Sequence, residues 1–153
     1  MKRALLGGLA ALTLAVSGLV ATGGGATAAT ATATAPAAEG KITPIAGEPG
    51  LYRITGSDVG ILAWNNCQDG QTCFFQNSNG EGILWVVPSC WKNKVPSAFD
   101  NRASSVWNRG GGPVAVYYNT DWTGYLTTYG RWWQGNIALE HNDRISSVDV
   151  LCQ

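Results

Sequence analysis

Six short runs rich in β-branched and aromatic residues, at 72–76, 83–87, 104–107, 114–118, 125–128 and 146–151, punctuate the C-terminal half of the chain. Gly, Asn, Asp or Pro separates them, and no segment carries a helical period. The pattern predicts an all-β core, eight strands in two sheets, over about 85 residues, a size at which covalent bracing is a sensible supplement. Upstream, apolar residues return in Leu51-Tyr52-Arg53-Ile54 and in the run from Val59 to Trp64, around Thr55-Gly56-Ser57-Asp58. Residues 51–66 therefore read as an added hairpin, part of a propeptide or a loosely docked arm. Residues 29–50 are mostly Ala, Thr, Pro, Gly and Glu. Such a composition cannot bury enough apolar surface to offset the entropy of ordering it, so a flexible leader is expected. Ahead of it, Lys2 and Arg3 precede an apolar run from Ala4 to Val20 and the small-residue site Ala26-Thr27-Ala28. That is the layout of a signal peptide over 1–28, and no other apolar stretch is long enough to span a bilayer. A secreted protein without a membrane anchor follows.

Within the β region the pattern repeats. Asp100-Asn101-Arg102-Ala103-Ser104-Ser105 and Asn142-Asp143-Arg144-Ile145-Ser146-Ser147 stand 42 positions apart. Shifting residues 75–106 by 42 places without a gap makes 8 of 32 pairs identical, among them Asn77 with Asn119, Gly82 with Gly124, Leu84 with Leu126, Trp91 with Trp133 and Val106 with Val148. Ordinary composition would give about two. Two copies of one supersecondary unit are implied.

The head of the unit carries a signature. In the second copy Tyr117 is followed by Trp122 and Gly124; the first copy has Phe75, Gly80 and Gly82 at the same spacing and so lacks the second aromatic. Aromatic, four residues, aromatic, one residue, glycine, with an Asp/Asn-Asp/Asn-x-x-Ser-Ser loop 25 residues downstream of the first aromatic, resembles the βγ-crystallin Greek-key motif. Residues 67–153 thus resemble a two-motif βγ-crystallin-like Greek-key β-sandwich, motif one at 67–108 and motif two at 114–152. The wording Asn101-Arg102-Ala103-Ser104-Ser105-Val106-Trp107-Asn108 is most similar to actinobacterial secreted proteins grouped with the streptomycete metalloproteinase inhibitors.

Cys67, Cys73, Cys90 and Cys152 are even in number in an exported chain, so two disulfides are the default, with three pairings open. Cys67 with Cys73 is favoured, because five intervening residues suit a tight loop into the first strand, as in the resembling proteins. Cys90 and Cys152 then remain. Without Lys2 and Arg3 the chain holds eight basic and ten acidic residues, net minus two and scattered. No basic stripe offers itself to nucleic acid or anionic lipid.

The resemblance also implies a metal. Ca²⁺ takes six to eight oxygens, and carboxylate, amide, hydroxyl and main-chain oxygens crowd both loops. The candidate ligands are the side chains of Asp100, Asn101, Asn142 and Asp143, the hydroxyls of Ser104 and Ser146, and the carbonyls of Arg102 and Arg144. The same residue types also satisfy main-chain groups at tight turns, so a purely structural role competes. With one carboxylate per loop, affinity should be modest, at about 0.1–1 mM.

Enzymatic chemistry finds little footing. His141 is the single histidine and aligns with Phe99, which suggests a packed or rim position, and no H-E-x-x-H, G-x-S-x-G or phosphate loop occurs. Asp69, Glu81, Asp121, Glu140 and Asp149 show no spacing that supports a hydrolytic pair. Among the seven tryptophans the repeat puts Trp91 and Trp133 in matching core positions and Trp122 at the Greek-key aromatic position; two of Trp64, Trp85, Trp107 and Trp132 are expected to be exposed. A monomeric, non-enzymatic proteinase inhibitor, directed at an extracellular metalloproteinase, is what the resemblance implies. Its candidate inhibitory loop runs from Pro88 to Pro96 with Cys90, Trp91, Lys92 and Lys94. The alternative is a Ca²⁺-binding extracellular module that recognises cell-wall or fungal polysaccharide through exposed tryptophans.

Overall fold

In this computed structural model, which describes residues 41–56, 64–88 and 90–152, two antiparallel sheets face each other. The strands are β1 (Lys41–Pro44), β2 (Leu51–Thr55), β3 (Thr72–Phe75), β4 (Ile83–Val86), β5 (Trp91–Lys94), β6 (Ser105–Asn108), β7 (Val114–Tyr117), β8 (Tyr125–Tyr129), β9 (Gln134–Asn136) and β10 (Ser147–Val150). The six-stranded sheet has the order β1-β2-β4-β3-β6-β9, and the four-stranded sheet β5-β10-β7-β8. Strands β3, β4, β5 and β6 make one Greek key, β7 to β10 the other, and each sends its third strand into the opposite sheet. Registers repeat with the period of the sequence: Lys94 faces Ser147 where Asn136 faces Ser105. The fold is a βγ-crystallin-like Greek-key β-sandwich of two tandem motifs with a 42-residue period. Among the described residues no helix is long and apolar enough to cross a membrane.

Alternation within the strands builds two apolar layers. Phe74, Trp85, Phe99, Val106, Val114, Val116, Ile145 and Val148 meet between the sheets, with the Phe74 and Trp85 rings stacked 5.6 Å apart. Cys73, Phe75 and Leu84 point the other way and form a second cluster with Ile54 and Cys67, against which Trp64 and Trp107 pack. Strand β3 is therefore buried on both faces. Cys67 pairs with Cys73 and Cys90 with Cys152. The second bridge spans 62 residues, a closure worth about 4 kcal/mol in the chain-entropy description.

The outer cluster resolves the gap in the first motif. Trp122 fills the second aromatic position of motif two, its indole N–H donating to the Val148 carbonyl at 3.2 Å. Gly80 is the equivalent residue in motif one, and the Trp64 ring lies so close over it that an added Cβ would sit 2.6 Å from the indole. Trp64 also meets Phe75 and Trp107 edge-on at 5.0 and 6.2 Å. An aromatic from outside the repeat thus occupies the place the repeat leaves empty.

A buried amide pins the connection between motifs. Asn108 donates to the carbonyls of Gly112, Tyr129 and Gly130 and accepts from the Thr72 hydroxyl and the Gly110 N–H. The chain passes so near itself at Gly112 that a Cβ would fall 1.9 Å from the Leu151 carbonyl oxygen, an approach only glycine permits.

Several expectations need correction. The described part of the expected leader, 41–50, holds β1 and a turn, and β2 pairs with β1 on one side and β4 on the other. Every β1 side chain is exposed, so main-chain pairing orders it without the apolar burial that the composition argument required. The expected signal peptide over 1–28, residues 29–40 of the leader and residues 57–63 lie outside the described residues. The two-motif region holds the expected eight strands, β3 to β10, and β1 and β2 ahead of it bring the total among the described residues to ten. Strand β5 replaces much of the expected inhibitory loop, and β9, Gln-Gly-Asn, has no β-forming residue to announce it. Its place comes from pairing with β6.

Replacing Trp64 by Ala should cost about 2–3 kcal/mol, below the full value for a buried tryptophan because its ring is half-buried. Gly80→Ala should also destabilise, through the clash and a φ of +79°. Urea denaturation of both variants is the check; an unchanged midpoint for Trp64→Ala would show that the ring packs without stabilising.

Candidate functional site

The paired loops meet across the junction between motifs. The Asn101 N–H donates to the Ile145 carbonyl at 3.2 Å and the Asp143 N–H to the Ala103 carbonyl at 3.1 Å, a reciprocal clasp. Asn101 and Asp143 both hold left-handed backbone, φ +55° and +54°, which Asn and Asp adopt at less cost than other side-chain-bearing residues. Side chains then cross between motifs. The Ser146 hydroxyl donates to the Asn101 amide oxygen, and the Ser104 hydroxyl to a carboxylate oxygen of Asp143, each at 3.3 Å. Two oxygens so spaced can both reach one Ca²⁺ ion at its usual distance of about 2.3–2.6 Å.

Each crossed pair borders a small recess. One, about 440 Å³, is lined by Asn101, Tyr118, Asn119, Thr120, Asp121 and Ser146. The other, about 280 Å³, is lined by Gln76, Asn77, Asn101, Arg102, Ser104 and Asp143. Asp121 and Asp143 are the carboxylates, one to each recess. Asp121 was not among the sequence candidates, since attention to the six-residue loops passed over the hairpin that follows the first aromatic. The repeat gave no signal there, because the 42-residue shift sets Asp121 against Asn79, which bonds Asn136 and does not line the other recess. The Thr123 hydroxyl, donating at 2.6 Å, holds the Asp121 carboxyl below the usual carboxylate range, and Lys94 pulls the same way.

The remaining candidates lie elsewhere in the loops. Asp100 accepts from the Asn101 amide at 3.3 Å through one oxygen, while its other oxygen is buried without a hydrogen-bond partner. Asn142 donates to Asp143 at 2.8 Å. The guanidinium groups of Arg102 and Arg144 turn back onto the carbonyls of Ala98 and Glu140, at 3.2 and 3.0 Å, the same brace in both copies. Among the described residues no three His, Cys, Asp or Glu side chains converge as a metal cluster. An ion here would draw on amide, hydroxyl and main-chain oxygens beside a single carboxylate, a donor set that suits a hard cation and fits Ca²⁺. His141 is partly buried with Nδ1 unpartnered.

Cys90, Trp91, Lys92 and Lys94 lie at the free edge of the four-stranded sheet. Trp91 is 63% exposed, against the expectation of a core position shared with Trp133. Trp133 packs against Tyr129 at 4.5 Å, whereas Trp91 follows the bridged Cys90 with a φ of +70° and is left in solvent. Of the four unmatched tryptophans one is exposed, Trp132 at 54%, not two; Trp85 is buried, and Trp64 and Trp107 are half-buried.

Two interlocked Greek keys with paired Asx-Ser loops define a βγ-crystallin-like domain. Residues 62–129 match the model of peptidase inhibitor family I36. The family is one of inhibitors rather than enzymes. Among solved structures, the chain is similar to a single-residue mutant of a βγ-crystallin domain from Clostridium beijerinckii, with 20% identity, a TM-score of 0.43, and coverage of 52% of this chain and 94% of that one. It is also similar to the N-terminal domain of Protein S, with 20% identity, a TM-score of 0.44, and coverage of 54% and 96%. No curated protein matches the chain.

The left-handed backbone offers a test of the loops as turns. Asp143→Gly should leave stability without added metal nearly unchanged, since glycine adopts positive φ freely, whereas Asp143→Ala should lose about 1–2 kcal/mol. Thermal melts in chelator compare them directly; equal melting temperatures would mean that the conformation at 143 carries no strain.

Proposed function

We propose that this is a secreted proteinase inhibitor, directed at metalloproteinases, on a scaffold that Ca²⁺ stabilises. The match of residues 62–129 to an inhibitor family carries the reading. Secretion is supported by the signal-like layout of residues 1–28 and by two disulfides. A β scaffold braced in this way meets a proteinase already ordered, so little conformational entropy is lost on binding. Ca²⁺ would supply a charge that ties the loops of the two motifs together, held in one recess by Asn101, Ser146 and Asp121 and in the other by Ser104 and Asp143. The loop residues themselves hold the junction through the two main-chain clasps, and each serine hydroxyl orients the facing oxygen.

Inhibition is tested by incubating the protein with a thermolysin-like metalloproteinase and with a panel of serine proteinases. Selective loss of metalloproteinase activity is expected, and unaltered rates across the panel would remove the reading. Parallel incubation with insoluble chitin or peptidoglycan tests the polysaccharide alternative. For the metal, a dissociation constant of about 0.1 mM predicts that 1 mM Ca²⁺ stabilises the fold by about 1.4 kcal/mol per site. Ser104→Ala or Asp143→Asn should shrink this gain through one recess, and Ser146→Ala or Asp121→Asn through the other. Identical melting temperatures in chelator and in several millimolar Ca²⁺ would leave the loops as turns only.

A further inference from the structure

Strand β5 has one paired edge and one open edge. On the paired side the Val95 N–H donates to the Ser146 carbonyl at 3.1 Å, and the register continues as Asn93 with Val148 and Trp91 with Val150. In an antiparallel ladder alternate residues share the bonding phase. Trp91, Asn93 and Val95 thus turn their main-chain groups toward β10, while Lys92 and Lys94 turn theirs outward. Among the described residues no main-chain bond outside the ladders involves Lys92 or Lys94. Two N–H and two C=O groups, spaced for an incoming strand, are left at this edge.

The side chains say what kind of strand could use it. Lys92 and Lys94 are exposed, their ammonium groups 5.2 and 5.8 Å from the Trp122 ring centroid on one face of the sheet. A second copy of β5 would set lysine against lysine, which disfavours self-pairing. The equivalent edge strand β9 carries no charge, and its Asn136 side chain is occupied by Asn79. Trp91 stands exposed at the start of β5 with positive φ. A bulky aromatic in that conformation is strained, and its exposure adds a cost for which the fold shows no return. Aromatics so placed commonly anchor an interface. The neighbouring Cys90–Cys152 bridge fixes the strand's start.

We infer that the open edge of β5 is the surface that engages the proteinase, adding to an unpaired, acidic strand at the rim of its cleft through the main-chain groups of Lys92 and Lys94, with Trp91 as the anchor. This rests on the inhibitor reading and specifies its contact. Strand addition draws affinity from main-chain bonds and selectivity from the flanking side chains, so the lysines would favour proteinases with acidic cleft rims.

The test compares inhibition of a thermolysin-like metalloproteinase by wild-type protein and by Trp91→Ala, Lys94→Ala and Lys94→Pro. Proline at 94 removes an outward N–H without breaking the bonds to β10, as edge strands tolerate. The inhibition constant should rise at least 30-fold for Trp91→Ala, on the order of an interface anchor, and further for Lys94→Pro than for Lys94→Ala. Thermal melts check that each variant folds; should Lys94→Pro fail to fold, Trp91→Ala and the salt dependence of Lys94→Ala decide, since a rim contact loses its effect at high salt. If wild type inhibits and the folded variants inhibit equally well, the β5 contact is wrong and the inhibitor reading stands. If wild type neither inhibits nor binds the proteinase, the reading fails and this inference with it.

Discussion

Neither Greek key can complete a sheet alone. Each exports its third strand, β5 or β9, to the sheet of the other, and the apolar faces that meet between the sheets come from both. Burial of Phe74, Trp85, Val106, Val116 and Val148 therefore requires both motifs at once, and folding should be cooperative across the 42-residue repeat. Reciprocity recurs wherever the copies touch. The two loops clasp through Asn101 to Ile145 and Asp143 to Ala103, and each serine hydroxyl donates to an acceptor oxygen of the other motif.

This exchange also explains why the candidate metal recesses do not belong to single loops. A six-residue loop contains too few well-placed oxygens for a cation that wants six or more, and the crossed pairs, with the hairpin carrying Asp121, enlarge the set. The two recesses are related but not equal. Asp143 stands in one as part of its loop, while Asp121 enters the other from a hairpin and is already engaged by Thr123.

Departures from the repeat lie at the sheet faces and edges. Trp64 covers Gly80 on the outer face of the six-stranded sheet, where Trp122 serves the other sheet from within its own motif. Trp91 and Trp133 share a repeat position, yet one is in solvent and the other packs on Tyr129. Duplication fixed the scaffold, and the residues that break its symmetry are the ones that distinguish one face from the other.

Alternation, turn residues and the 42-residue shift were enough to establish the β class, the two motifs, six of the strands and the paired loops, because these are local signals repeated twice. Disulfide pairing was narrowed by the short Cys67–Cys73 spacing and the resemblance, then decided by proximity. The sequence could not reveal that β1 is ordered, that β5 is a strand and not a loop, or that β9 exists. Edge strands are held by main-chain bonds to a neighbour, and such bonds leave no mark in side-chain periodicity. Nor could it assign Trp64 to Gly80, Asp121 to the first recess or Trp91 to solvent. Those placements depend on contacts between residues distant in the chain, which only the closed sandwich brings together.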